Sequence, residues 1–500
     1  MSTSHAVSES SNLAATATAA TTTTTTPTTT VSPTPPPADN KISPTTTVSS
    51  EFNTVTEGKA TILTPKADEV FYNPIQQFNR DLSIMAIQAY DQLRHEAHEA
   101  TSNRNKKKKK LNASASGLRS CRYGLEIPKR AGSSRNDLLP EAVEQIKQNI
   151  EHNGLADKVV ANQGDAIKFM ASTDEKFHVV DLDPYGTAAP FIDSAIQCLE
   201  EDGMLLVTCT DAAINNETNH EAGVRLILNL IASTAAKYKK SVEPVLCLSI
   251  DYYFRLFVKV RTSPIAVKNH ASETMLVYGC NGCGDKLFQP LGNRKDNKFN
   301  YPKMVGSHSC KYCESSYNVA GPMYAGNLHL SAFIDKILEI NAKADKEVYS
   351  TTERIRGMLT IAKNELEHPF YFNVNQLCSL FKCPPLSLQK FVNAIGNLDH
   401  KCSLTHYKPN TVKTDMPWIR VLAIFKQWRE QEMGKDKELN TVGAKVIAYL
   451  QQHPEDDTNA DFETESAESK KIHELRKVKM VRFQQNPRKN WGPRKEVSRG

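Results

Sequence analysis

The chain has 500 residues, 39% of them apolar and 24% charged, with a formal net charge of +6. That is room for two or three domains with a sizeable core. No run of about 18 apolar residues occurs and no charged-then-apolar leader opens the chain, so neither a membrane span nor secretion is expected.

Residues 1–50 are Thr, Ser, Ala and Pro, including "TTTTTTPTTT", and have almost nothing to bury. Disorder is predicted there, and the absence of arginine argues against a mitochondrial leader. The segment "EGKATILTPKADEVFYNPIQQFNRDLSIMAIQAYDQL" reads as two short strands, a turn at Asn73-Pro74 and an amphipathic helix. Five consecutive lysines, 106–110, then form a loop insertion (about 98–112) or a nuclear-import patch.

From 111 to about 262 helix and strand patterns alternate. "LPEAVEQIKQNIEHNGL" is a helix, with Pro140 suited to its first turn and Gly154 to its stop. "KVVANQGDA" and "FHVVDLD" are strands. "APFIDSAIQCLEED" is predicted as a helix closed by Gly203, and "MLLVTCT" as the next strand. After the helix "GVRLILNLIASTAAKYK" come two strands about a turn, "VEPVLCLSI" and "FRLFVKV". Alternation with continuous apolar strands predicts an α/β fold, a doubly wound, mostly parallel sheet with helices on both faces. Ligands of such sheets bind beyond the carboxyl ends of the strands, where Asp165, Asp183 and Asp211 fall.

Residues 275–325 read as short strands, glycine turns and paired cysteines. Beyond them "FNVNQLCSLFK" to "CSLTHYKPNTVKTD" reads as helix, turn, helix and hairpin, a winged-helix-like segment. Seven acids between 455 and 468 precede a tail with eleven Lys or Arg against two acids from Lys470 to Arg499, carrying Phe483 and Trp491. That tail is either a polyanion contact or a solvated terminus.

Cys280, Cys283, Cys310 and Cys313 form two CxxC pairs separated by 26 residues. Each pair can present two thiolates to one ion, and together they complete the S4 shell zinc prefers. Four protein ligands close such a site, which makes the expected zinc structural. The remaining cysteines read as small hydrophobes.

Asp183-Pro184-Tyr185-Gly186 follows an apolar strand. A carboxylate and a proline carbonyl can accept from an exocyclic amine while the tyrosine ring stacks on a planar base, and the carboxylate can take up a proton. A plain strand-end turn is the alternative. Asp137 precedes a helix where an acid engages a ribose, Asp165-Ala166 occupy the next crossover, and "SASGLRSCRYGLEIP" supplies a small-residue turn into a helix.

These segments, together with "VFYNPIQQFNRDLS", "NDLLPEAVEQIKQNIEHNG", "VTCTD", "AGPMYAG" and "RFQQNPRKNWGPR", resemble the tRNA (guanine-26-N2)-dimethyltransferase family. The resemblance implies a class I, Rossmann-like methyltransferase domain over 51–264 and a C-terminal tRNA-binding α+β domain over 265–450, with its zinc module at 278–316, then an acidic linker and basic tail. It implies S-adenosylmethionine as cofactor, contacted by Arg80, Arg119, Asp137, Asp165 and Ala166, with Asp183 as catalytic acceptor and Pro184 and Tyr185 positioning the guanine. The partner is tRNA, whose base must be flipped out; no DNA partner is expected and a monomer is. Nuclear localisation, with mitochondrial as the alternative, is implied. A non-catalytic tRNA-binding homologue is the competing reading.

The sequence departs from that family in three places. "KKKKKLNA" and "KRAGSSR" stand where apolar strands are expected, and only "INNETN" follows "VTCTDAA". Lysine in a central strand costs several kcal/mol without a partner, so either an impaired cofactor pocket or a sheet built from other residues than the family pattern is expected.

Overall fold

The structure is a computed structural model and describes residues 52–65, 72–100, 111–113, 117–128, 133–210, 220–295, 298–434, 439 and 441–479. The Thr/Pro-rich start, the lysine run, Asp211 and the tail beyond residue 479 lie outside them.

The chain opens with a hairpin, β1 (Phe52–Glu57) and β2 (Ala60–Pro65). At its turn Gly58 has φ +61°, and a Cβ there would overlap Arg122 and Glu126. Helix α1 (Gln77–Ala100) follows, then β3 (Leu111–Ala113), α2 (Leu118–Glu126), β4 (Ser133–Asp137), α3 (Pro140–His152) and β5 (Val159–Gln163). After these come α4 (Ala166–Ser172), β6 (Phe177–Leu182), α5 (Ala189–Cys198), β7 (Leu199–Cys209), α6 (His220–Lys237), β8 (Lys240–Ile250) and β9 (Tyr253–Thr262).

These strands form a seven-stranded sheet in the order β5-β4-β3-β6-β7-β9-β8. It is parallel except for β9, which runs against both neighbours. On one face α1 packs Phe78, Leu82 and Met85 against Leu206, Leu246 and Phe257. On the other, Ile192 and Ile196 of α5 and Val224, Leu228 and Ile231 of α6 meet Val180, Leu205 and Leu256.

Two expectations need correction. The central strand exists: Leu111–Ala113 pair with both β4 and β6, and the lysines before them lie outside the described residues. The "SSRND" strand also forms, and polar side chains hold it. Asn136 Nδ2 donates to the Gly164 carbonyl, and Asn162 Nδ2 donates to Asn136 Oδ1 at 2.5 Å. Second, α5 ends at Cys198, not at Gly203. Leu199–Asp202 already belong to β7, with buried Leu199 paired to Phe177 across a register shift.

The remaining chain adds α7 (Pro264–Lys268), the antiparallel strands β10 (Thr274–Cys280) and β11 (Lys286–Pro290), an exposed hairpin of β12 (Asn293–Lys295) and β13 (Lys298–Asn300), and β14 (Tyr317–Tyr324). Helices α8 (Ser331–Lys343) and α9 (Thr352–Lys363) extend the α1 face of the core. Next come β15 (Phe372–Asn373), α10 (Val374–Phe381), α11 (Leu388–Asn397), β16 (Cys402–Leu404), β17 (Thr411–Thr414), α12 (Trp418–Met433), α13 (Val442–Gln452) and α14 (Ala467–Lys477). The predicted helix, turn, helix and hairpin are therefore present.

This second half of the chain covers the outer edge of β8, which would otherwise present unpaired backbone. Leu330 N donates to Val245 O at 3.0 Å, Cys247 N to His329 Nδ1 at 3.4 Å and Ser249 N to His406 Nε2 at 3.1 Å. None of the helices among the described residues is long and apolar enough to cross a membrane.

Candidate active site

The carboxyl edge of the sheet collects the predicted acids. β4 ends in Asp137, whose Oδ1 accepts from Leu139 N at 3.2 Å. β5 leads through Gly164 to Asp165, which caps α4 by accepting from Ile167 N at 2.8 Å, and Ala166 is the first residue of that helix. β6 leads into Asp183, Pro184 and Tyr185. The Gly186 carbonyl then accepts from Thr210 N at 3.1 Å, which ties the corner to the end of β7. Tyr185 is 81% exposed. Partial shielding, then the negative charges of Asp183 and Asp137, push its hydroxyl pKa up, so one ring lies within electrostatic reach of both carboxylates.

Beneath that edge lies a buried ion network. Arg119 of α2 pairs through Nη2 with Asp183 Oδ2 and through Nη1 with Asp181 Oδ2 at 3.2 Å. Asp181 also accepts from the Tyr123 hydroxyl at 2.6 Å and from Arg255 Nη1 at 2.8 Å. Arg255 completes the cluster by donating to Thr208 Oγ1 at 2.9 Å and Ser83 Oγ at 2.7 Å. Burial acts to raise the Asp181 carboxyl, but Arg255 and Arg119 overcome it and hold it below the usual range. Only one Asp183 oxygen is engaged by Arg119, and Oδ1 makes no bond to the protein among the described residues.

Sequence reasoning found Asp183 and Arg119 but missed Asp181, Arg255, Ser83 and Tyr123. The signal was an aspartate inside "FHVVDLD" and an arginine inside "FRLFVKV". A charge in a strand buried on both faces needs a buried partner.

Arg80 enters a different cluster. Its guanidinium pairs with Glu57 at 2.6 and 2.5 Å and donates to the Asn73 carbonyl at 3.0 Å. Arg122, wholly buried, joins Glu57 and Asp81, each at 2.7 Å, to Glu126 at 2.9 Å. The β1-β2 hairpin is thereby fastened to α1 and α2.

The four predicted cysteines converge and are buried. Sγ of Cys280 lies 3.4 Å from Cys313 and 3.7 Å from Cys283, and Cys283 lies 3.6 Å from Cys310. A tetrahedron with metal–sulfur bonds of about 2.3 Å has edges of about 3.8 Å, so the spacing suits one ion. Gly282 N donates to Cys280 Sγ at 3.3 Å, and Trp418 Nε1 to the Cys283 carbonyl at 3.1 Å.

A second group, His329, Glu365 and His406, has metal-ligand composition and proximity. The imidazole lone pairs that would bind an ion are already used. Backbone N–H groups of β8 donate to His329 Nδ1 and His406 Nε2, and the other nitrogen of His406 lies 2.6 Å from Glu365 Oε1. This is an edge-covering hydrogen-bond network.

Residues 50–426 match the family model of N2,N2-dimethylguanosine tRNA methyltransferases. The chain belongs to that family. It is similar to the mitochondrial tRNA (guanine(26)-N(2))-dimethyltransferase of Saccharomyces cerevisiae, with 41% identity over 524 positions covering 89% of this chain and 92% of the relative. The human tRNA (guanine(26)-N(2))-dimethyltransferase is 32% identical, covering 89% of this chain and 78% of its own. In fold the chain is similar to Trm1 from Pyrococcus horikoshii, solved with S-adenosyl-L-methionine. The TM-score is 0.61 at 24% identity, over 75% of this chain and 99% of that one. This dimethylguanosine methyltransferase thus keeps the family sheet despite its two polar strands.

Proposed function

We propose that Asp183, Pro184 and Tyr185 hold the N2 amine of an extruded guanine 26 of tRNA for methylation, giving N2,N2-dimethylguanosine in two rounds. Bound S-adenosylmethionine supplies the electrophilic methyl on its sulfonium. The observation that carries the assignment is the divided Asp183 carboxylate: Oδ2 is fixed by Arg119 while Oδ1 accepts no bond from the described residues. An oxygen so aimed accepts from the guanine amine and takes up the proton released as the new N–C bond forms. The Pro184 carbonyl is the second acceptor, and the exposed Tyr185 ring is the stacking surface for a flipped base.

The donor set fits the cofactor. Asp137 suits the ribose hydroxyls, Asp165 and Ala166 the adenine edge, and the turn at Gly117, with φ +81°, opens α2 without a side-chain cap. Arg119 and Arg80 are committed to carboxylates, so their part is to fix the pocket walls. The competing reading of a degraded cofactor site loses its ground, because the strands carrying these acids are formed.

For the rest of the chain, we assign one structural zinc to Cys280, Cys283, Cys310 and Cys313, and tRNA contact to the 265–450 region with its winged-helix-like α10-α11-β16-β17 segment. The lysine run supports nuclear import; the yeast relative carries the word mitochondrial in its name.

Nucleoside mass spectrometry of tRNA incubated with the protein and S-adenosylmethionine tests the reading. Dimethylguanosine should appear at position 26, and Asp183→Ala should lower the rate at least roughly a hundredfold while tRNA affinity stays within about twofold. An Asp183→Ala protein as fast as the wild type would remove Asp183 from this role.

A further inference from the structure

The carboxyl edge carries a second exposed ring. Tyr252 is 86% exposed and sits in the turn between β8 and β9. The register puts it level with the catalytic corner. Leu182 of β6 pairs with Val207 of β7, which pairs with Leu256 of β9. From there Asp183, Pro184 and Tyr185 climb past the edge as the chain from Arg255 back to Tyr252 climbs beside them. β6 and β9 are separated by one strand, so the two rings rise from backbones about 10 Å apart.

The turn holding Tyr252 is braced from below. Asp251 has φ +47°, a conformation non-glycine residues seldom adopt. Both of its oxygens accept from Arg354 Nη2, at 3.0 and 2.9 Å. Arg354 is buried and lies 4.4 Å over the Phe78 ring. A buried arginine thus fixes the position of a turn that holds its aromatic side chain out from the described protein, 86% exposed.

We propose that Tyr252 is a second stacking face for the substrate, receiving a nucleobase at the catalytic corner opposite Tyr185. Two successive stacked contacts span roughly 9–14 Å between outer rings, a spacing that side chains rising from backbones about 10 Å apart can reach by rotation about their own bonds. Stacking asks only for a flat π face, which suits an extruded guanine held for transfer to its amine. This inference rests on the reading of Asp183 given above.

The test uses the full-length protein and unmodified tRNA. Tyr252→Ala and Tyr252→Leu should each raise KM for tRNA roughly tenfold, Tyr252→Phe should match the wild type, and affinity for S-adenosylmethionine should not change. A wild-type protein that makes no methylguanosine would sink the reading of the corner itself. An active wild type whose Tyr252→Ala variant keeps the same KM, or a Tyr252→Phe variant as weak as Tyr252→Ala, would overturn the role of the Tyr252 ring alone.

Discussion

β6 buries every residue from Phe177 to Leu182, and β7 every residue from Gly203 to Cys209, whereas β5 leaves Val160 60% exposed and β4 depends on Asn136. One sheet is therefore held in two ways. Its β6-β7-β9-β8 half follows the hydrophobic effect, and apolar helices cover both faces. Its β5-β4-β3 half adds directed polar contacts to a smaller apolar cluster in which Val159 of β5 meets Ile146, Ile150 and Leu155. Asn136 bridges Gly164 and Asn162, and the flanking β1-β2 hairpin is clamped by Asn149 of α3 and Asn153 just past its end, which accept from Leu63 N at 2.7 Å and Thr61 N at 3.0 Å. The Asp183-Pro184-Tyr185 corner stands where the halves meet, with Asp183 on the apolar side and Asp137 on the polar one. Apolar packing tolerates small shifts, while hydrogen bonds fix direction, which suits the half that must orient a cofactor.

The sharpest way to break the polar half is Arg122→Leu. It leaves Glu57, Asp81 and Glu126 buried without their common cation, and chemical denaturation should show a loss of about 3–5 kcal/mol. In the apolar half, Leu206→Ala opens a cavity at a site that is 0% exposed and should cost about 2–4 kcal/mol by the same measurement. Asn136→Ala should cost less, about 1–3 kcal/mol, by leaving the Gly164 carbonyl and Asn162 unpaired. It should also weaken S-adenosylmethionine binding by calorimetry, which Leu206→Ala should not; equal cofactor affinities in the two variants would erase the functional contrast between the halves.

The smallest effect is a pH dependence at the β8 edge. Burial lowers His329 from 6.5 to about 3, so the unfolded chain takes up a proton that the folded one refuses. Burial would raise Glu365, but His406 and Lys413 bring it from 4.5 down to about 2. Both shifts act in one direction: stability is complete above pH 6.5 and falls as pH drops through the range to 3, with Glu365 adding to the loss below 4.5. Urea midpoints measured from pH 7 to 4 should decline, and His329→Gln should flatten the decline between 6.5 and 4. A midpoint independent of pH would mean that the β8 edge does not depend on a neutral His329.

The sequence alone determined the alternating order of elements, the apolar strands, the carboxyl-edge acids and the paired cysteines, because each is a local pattern of period, spacing or turn chemistry. The tertiary structure decided the rest. It seated Leu111–Ala113 in the centre of the sheet, moved Leu199 from helix to strand, and committed Arg80 to Glu57. It also joined Asp181, Arg255 and Arg119, residues up to 136 positions apart in the numbering, behind the Asp183 carboxylate. The physical reason is that a buried charge is satisfied by whichever partner the fold brings within about 3 Å, and that partner carries no mark in its neighbouring sequence.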